Sequence, residues 1–433
     1  MSAQQLLKNN KKTINAWCWY DWANSSYSLV ITSALFPAYF LSLSLLSDKK
    51  LWWQQMGNSV LYAYIYSFSS LLIMLLSPLL GALADNSGRK RFFMSGCSFI
   101  GAVSCMLLFF SSAEQMALTC ILFMVSSICY SLGVVFYNAF IPEIATPDRY
   151  DAISARGFAW GYAGGMLALI LNLLVIRFAG PLGFNAEQIR QQVPVRLSFV
   201  IIGLWWLVFA AYSINRLPRD QRRSNRGNEV LVHAYKQIIE ALRLAGRNKR
   251  ISIFLLAFFF YDMGVTTIMG MSSVFAVKTL HIGTTELIGV ILTLQFLAIL
   301  GSYLFVLLSK KAGTITAIKT GVLLWILICF IACGVRNTGQ FYIMAVLTGL
   351  VMGGTQALSR STFAGLIQDE QDKYATYFSL YDVLDKLGVV IGTFLFGWME
   401  WATGSMRASV ALLSIFFAIG FIFLQLMTRS WKK

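Results

Sequence analysis

The stretch GALADNSGRKR, residues 81–91, decides how this chain folds. It lies between two apolar runs, 58–84 and 92–112. Each is long enough to cross a bilayer as a helix, which takes about 20 apolar residues. Between the runs there is room only for a tight turn, and the glycines permit both that turn and a close helix approach. Three consecutive cations, Arg89, Lys90 and Arg91, close it. Positive charge between membrane helices marks the cytosolic side. The stretch therefore reads as the cytosolic corner of a membrane hairpin.

The same alternation extends in both directions. The chain is 57% hydrophobic and only 12% charged. A soluble domain carries about 25% charge, so a polytopic membrane protein is expected. Twelve spanning helices are predicted, at about 15–46, 58–84, 92–112, 115–141, 154–179, 195–215, 251–277, 285–309, 315–335, 340–367, 374–398 and 407–428. An even number puts both termini on one side. Of the 35 lysines and arginines, 27 fall on the side of the termini and eight on the other. That asymmetry makes both termini cytosolic. It also accounts for much of the net charge of +16, so no nucleic-acid partner is expected. The first apolar run is too long for the core of a signal peptide, and no small-residue cleavage site follows it before SDKK. The first helix is expected to stay as an anchor.

The seven cysteines lie in or beside apolar runs and form no CxxC pair. They read as small buried hydrophobes, neither a disulfide framework nor a zinc site. His233 and His281 lack ligand-spaced neighbours. No metal and no cofactor is implied, and the scattered acids do not form the cluster an integral-membrane enzyme needs. Asn24-Ser-Ser matches a glycosylation sequon but sits at a membrane helix start and is discounted.

Residues 216–250 stand apart as a basic, polar segment between residues 1–215 and 251–433. Leu231, Ala234, Ile238, Leu242 and Ala245 recur at helical spacing. An amphipathic helix on the cytosolic membrane surface and a plain tether are both open readings. The halves echo each other: WYDWANSS opens the first helix and FYDMGVTT lies within the seventh. Internal repeats of this kind are common in secondary transporters.

GALADNSGRKR resembles the Gly-x-Leu-Ala-Asp-x-x-Gly-Arg-Lys signature of the major facilitator superfamily, with Gly81, Asp85, Gly88, Arg89 and Lys90 matching. The resemblance implies an all-α fold of two six-helix bundles. Its carboxylate is suited to face a helix N-terminus or a basic partner and latch one conformation, here through the start of the eleventh helix. The corresponding turn after the eighth helix reads LLSKKAG, with no aspartate. YDWANSSYSLVITSALFPAYF (20–40), FYNAFIPEI (136–144), SARGFAWGY (154–162) and GGTQALSRSTFAGLI (353–367) resemble the vacuole-effluxer branch of that superfamily. That branch includes fungal autophagy-related vacuolar amino-acid exporters and many bacterial proteins. It implies a secondary transporter of small polar solutes, with amino acids and proton coupling among the candidates. The alternative is a non-transporting membrane sensor on the same fold. The short loops favour a bacterial inner membrane, and a monomer is expected.

An ionisable group inside a membrane bundle costs about 2.5–3.5 kcal/mol on insertion scales, so function is its default reading. Substrate- or proton-binding candidates are Asp21, Asn24, Asp262, Gln356, Arg360 and Asp385. Asp21 sits a few turns into the first helix. Capping, a link to an arginine and a binding role all remain open for it. Asp262 lies about 18 Å along its helix from Arg250, nearer the middle of the membrane. The fork of Arg360 suits a carboxylate on the substrate or on the facing bundle. Arg156 and Glu143 are expected to pair at the cytosolic gate. Asp382 and Lys386 stand at i and i+4 and read as a structural ion pair. Asp385 points away from it on an ideal helix and is the candidate to take up a proton. Gly161-x-x-x-Gly165 and Gly388-x-x-x-Gly392 read as close-packing sites. Trp17, Trp19, Trp22, Trp52 and Trp53 fit interfacial belts.

Overall fold

A computed structural model describes residues 8–43, 58–220, 236, 239, 240, 243, 246, 248–280, 284–370 and 373–431. Every regular element among them is helical. The first, α1, is built in series from Lys11–Ser26, a π-helical stretch Tyr27–Leu35, and Phe36–Ser42. Next come α2 (Asn58–Ser87), α3 (Lys90–Leu107), α4 (Met116–Ala139), α5 (Tyr150–Arg177) and α6 (Val193–Ile214). The second half holds α7 (Lys249–Leu280), α8 (Thr284–Ala312), α9 (Thr314–Gly334), α10 (Thr338–Leu366), α11 (Tyr374–Thr403) and α12 (Met406–Trp431).

Over their described residues, ten of the twelve are long and apolar enough to cross a membrane. The other two are α1, interrupted by its π-helical stretch and carrying Asp21 and Asn24, and α11, which carries Asp382, Asp385 and Lys386. Polar groups in these helices must find partners inside the protein. They dictate where the site forms.

The first six helices pack among themselves: α1 on α5 and α6, α3 on α4 and α6, and α2 on α4. The last six do likewise: α7 on α11 and α12, α8 on α10, and α9 on α10 and α12. Across the seam between these two bundles, α2 and α4 meet α11, and α5 meets α8 and α10. The outward sides are apolar, with Leu75, Val208, Phe330 and Phe394 well exposed, as lipid contact requires. Close approach needs small residues. A Cβ on Gly353 of α10 would run into the Ala298 carbonyl of α8. Gly392 of α11 abuts Thr267 and Met263 of α7, and Gly165 of α5 abuts Ser25 and Leu29 of α1.

The N-terminal Lys8 and Asn9 bond to Pro142, Ile144 and Thr146 between α4 and α5. The α2–α3 turn and the ends of α8 and α10 lie on the same side, called here the basic face. Leu231, Ala234, Ile238, Leu242 and Ala245, on which the amphipathic reading rests, fall outside the described residues, as do Trp52, Trp53 and His281.

The interfacial-belt expectation fails for Trp17, which is completely buried. Its indole stacks on Tyr137, centroids 4.2 Å apart, and Nε1 donates to the Tyr137 carbonyl at 2.9 Å. Trp19 and Trp22 pack into a cluster with Trp160 and Phe209. Indole rings here fill the bundle because glycines on α5 leave room: a Cβ on Gly157 would strike Trp17, and one on Gly164 would strike Trp22.

Candidate functional site

Arg360 of α10 crosses the seam into the first bundle and is 4% exposed. Its Nε donates to Ser154 Oγ at 2.9 Å and its Nη2 to the Ser154 carbonyl at 2.7 Å. Nη1 donates to Asn138 Oδ1 at 3.3 Å and lies 3.6 Å from Asp21 Oδ2. The guanidinium also sits over the rings of Phe158, Trp17 and Tyr137. Every nitrogen therefore has an acceptor, and the aromatic faces favour its charge. Ser154 passes the link on, donating to the Ala357 carbonyl at 2.7 Å.

Asp21 is held in the same knot. Its Oδ1 accepts from Ser25 Oγ at 2.8 Å and its Oδ2 from Tyr137 OH at 3.1 Å. A Cβ on Gly161 would come within 2.8 Å of Asp21 Oδ1, so glycine makes the space the carboxylate occupies. Asn24, one turn on, is buried, and its Oδ1 has no protein donor. Gln356 accepts from Tyr162 OH at 2.6 Å, a further link between α5 and α10.

Asp262 is elsewhere. It is buried on α7, its carboxyl faces that of Asp385 on α11, and its Oδ2 finds no donor. On α11 the expected Asp382–Lys386 pair forms, but the expectation that Asp385 points away from it is corrected. Lys386 Nζ lies 2.6 Å from Asp385 Oδ2 and 3.8 Å from Asp382 Oδ1. The flexible lysine stem overrides the roughly 100° between neighbouring side chains. Lys386 therefore bridges both acids and favours the nearer one.

The α2–α3 corner meets the second bundle directly. Asp85 Oδ2 accepts from the Thr376 amide at 2.7 Å and its hydroxyl at 2.9 Å, and Oδ1 accepts from the Ala375 amide at 3.2 Å. These are first-turn amides of α11, whose own N-cap residue, Lys373, makes no capping bond. Such amides need an acceptor and favour a negative one. Lys90 Nζ lies 3.2 Å from Asp85 and 2.6 Å from Glu143. Gly88 has φ +64°, the left-handed turn that glycine adopts without strain. A Cβ on Gly81 would sit 2.8 Å from the Ala375 carbonyl.

Two gate expectations are corrected. Glu143 pairs with Lys90 and not with Arg156, because the short helix Ile141–Ile144 delivers it beside the start of α3. Arg156 lies over Trp160, its Cζ 6.0 Å from the ring centroid. Arg89 turns back over Phe92 of its own helix. Tyr137, Asn138 and Ser154 were not singled out individually. The signal was present, since all three lie within FYNAFIPEI and SARGFAWGY, but nothing local points them at Arg360.

Two six-helix bundles with a polar knot across their seam define a membrane transporter of the major facilitator fold. The structure aligns with the fucose transporter FucP in its outward conformation, with TM-score 0.70 and 14% identity, over 96% of this chain and 98% of that one. It aligns with the human organic anion transporter MFSD10 at TM-score 0.71 and 15% identity, over 98% and 100%. The family described as "Vacuole effluxer Atg22 like" matches residues 9–433, and the chain belongs to it. An uncharacterized MFS-type transporter of Bacillus subtilis, YxiO, is 30% identical over 98% of this chain and 97% of its own length. Autophagy-related protein 22 of Kluyveromyces lactis is 24% identical over 85% and 79%. The family and fold are those of transporters and not of enzymes.

Proposed function

We propose that this protein moves a small polar solute by alternating access, coupled to protons, and that its basic face is cytosolic. The observation that carries the reading is the Arg360 knot. Together with Asp85 on α11 and Tyr162 on Gln356, it ties the bundles from the basic face to mid-depth. Rocking the bundles apart must break these links, which makes them a gate. Arg360 then acts as a bundle tie: its nitrogens are taken in this closed-gate state, so a substrate carboxylate would have to displace Asp21.

Asn24 Oδ1 and Asp262 Oδ2 are buried acceptors with no protein donor, and such groups call for a ligand or a proton. Two neighbouring carboxyls disfavour a second negative charge. Asp262, facing Asp385, is the candidate coupling site, with Lys386 2.6 Å from Asp385 to balance charge. Export of amino acids, which the vacuole-effluxer resemblance implies, is the first substrate class to test, and a bacterial inner membrane is the first location.

The test is solute flux into proteoliposomes, with and without a proton gradient, across a panel of amino acids. Gradient-dependent flux of any panel member supports the reading. No flux of any solute, with ligand-dependent stabilisation intact, would favour a sensor.

A further inference from the structure

Asp151 was not among the residues the sequence pointed to. It lies in the first turn of α5, one residue after Tyr150. A carboxylate there would ordinarily complement its own helix N-terminus. Its side chain instead reaches three helices of the other bundle. Oδ1 accepts from Ser361 Oγ of α10 at 2.6 Å. Oδ2 accepts from Thr314 Oγ1, the first residue of α9, at 2.7 Å, and also from Ser309 Oγ near the end of α8. Ser309 and Thr314 hydroxyls are themselves 3.0 Å apart, so the three groups form one cluster at the α8–α9 turn. That turn is the place where the second copy of the aspartate signature is missing.

We infer that Asp151 is a second bundle latch, a positioning residue that holds the α5 side of the gate closed as Asp85 holds the α2 side. Its polarity is reversed relative to the repeat. The acid has moved from the α8–α9 turn to the facing helix, and the turn offers hydroxyl donors in its place. Both latch carboxylates then belong to the first bundle, and the second bundle presents only donors to them. The inference rests on the alternating-access reading above.

Test it with spin labels at exposed Asp148 and Lys311, which flank this side of the seam, in the full chain with its native cysteines replaced and flux retained. A charge-assisted hydrogen-bond cluster should hold the closed state by about tenfold. Asp151→Ala should therefore shift the open-to-closed ratio about tenfold toward the longer distance, and Ser361→Ala about threefold. In the Asp151→Ala background, Ser361→Ala should add nothing. A carboxylate serving only its own helix predicts that Ser361→Ala acts alike in both backgrounds, and that result overturns the latch. Should Asp151→Ala fold poorly, the same cycle with Asp151→Asn and Thr314→Val carries the test. If Asp85→Ala moves the distance and no Asp151 variant does, only the second latch falls. If neither position moves it, alternating access through this gate falls too.

Discussion

Asp21 and Asp262 occupy corresponding places in the two halves, each after an aromatic residue and a tyrosine. Each of those tyrosines is buried and bonded to a serine, Tyr20 to Ser98 and Tyr261 to Ser359. The carboxylates nevertheless live differently. Asp21 finds its cation, Arg360, in the opposite bundle. Asp262 finds its partners, Asp385 and through it Lys386, in its own. A charge compensated across a seam reports on whether the seam is closed. A charge compensated within a bundle can exchange a proton without moving it. On the function proposed above, one repeated motif is divided between gating and coupling according to where the partners lie.

The largest effect should come from unbalancing the cross-seam pair. Arg360→Met leaves the largely buried Asp21 without its cation, at a cost of up to about 3 kcal/mol. Thermal unfolding in detergent should show the loss, and flux should fall about a hundredfold or more. Adding Asp21→Asn removes the orphaned charge and should restore most of the folded yield without restoring flux. Recovery of neither would mean that the packing of the guanidinium, not its pairing, holds the seam.

Next comes the other half. Asp262→Asn should leave yield and bundle distances near wild type while flattening the pH dependence of flux, and Asp385→Asn should do the same. A pH profile unmoved by both substitutions would remove the coupling role and collapse the contrast with Asp21. Asp85→Asn keeps size but weakens the bonds to α11. About a tenfold shift toward the open gate is expected, read by labelling of cysteines placed at the basic face. An unchanged labelling rate would show that the bonds to α11 do not set the state. Tyr162→Phe removes one neutral bond across the seam and should cost about 1 kcal/mol of closure. A larger loss would give Gln356 a direct part in binding.

The smallest effect concerns Glu240, whose carboxylate lies 2.9 Å from Lys373, just before α11. The hydrogen bond from Lys373, and then its charge, hold the Glu240 carboxyl below its ordinary value of 4.5. A depressed acid contributes above its unfolded value and loses the contribution as pH falls through the folded one. Glu240→Gln should therefore be silent in flux at high salt, and any difference at low salt should vanish as the pH falls through the depressed Glu240 titration. A difference that survives acid would point to packing in place of charge.

Much of the fold was legible because bilayer thickness and positive charge punctuate the chain directly. The α2–α3 corner was legible in two ways: Gly88 serves a local turn, whereas the contacts of Asp85 and Gly81 with α11 lie about 290 positions away and followed from the family resemblance. The Arg360 knot was only half legible. Arg360 and Asp21 stand out as charges in apolar helices, but Asn138 and Ser154 are ordinary polar residues more than 200 positions from Arg360, brought in by helix packing alone. Asp151 did not stand out because its partners are serines and a threonine, which carry no charge to betray a pairing. Lys386 misled for a different reason: ideal helix angles place Cβ atoms, and a lysine terminus reaches well beyond them.

The way Asp85 is bound has a thermodynamic corollary. Its bonds to the second bundle go to two amides and a hydroxyl at a helix end, and water can replace each of them when the bundles part. A hydrogen bond exchanged for water is worth only about 0.5–1.5 kcal/mol net, and one to a charged group about 1.5–3. On the alternating-access reading, this latch favours the closed state by a few kcal/mol and not by the gross strength of its contacts. A solute that binds one population even a hundredfold more tightly than the other carries enough free energy to redistribute them. A latch made of exchangeable bonds is easily read and easily reset, and an apolar clasp of the same area would be neither.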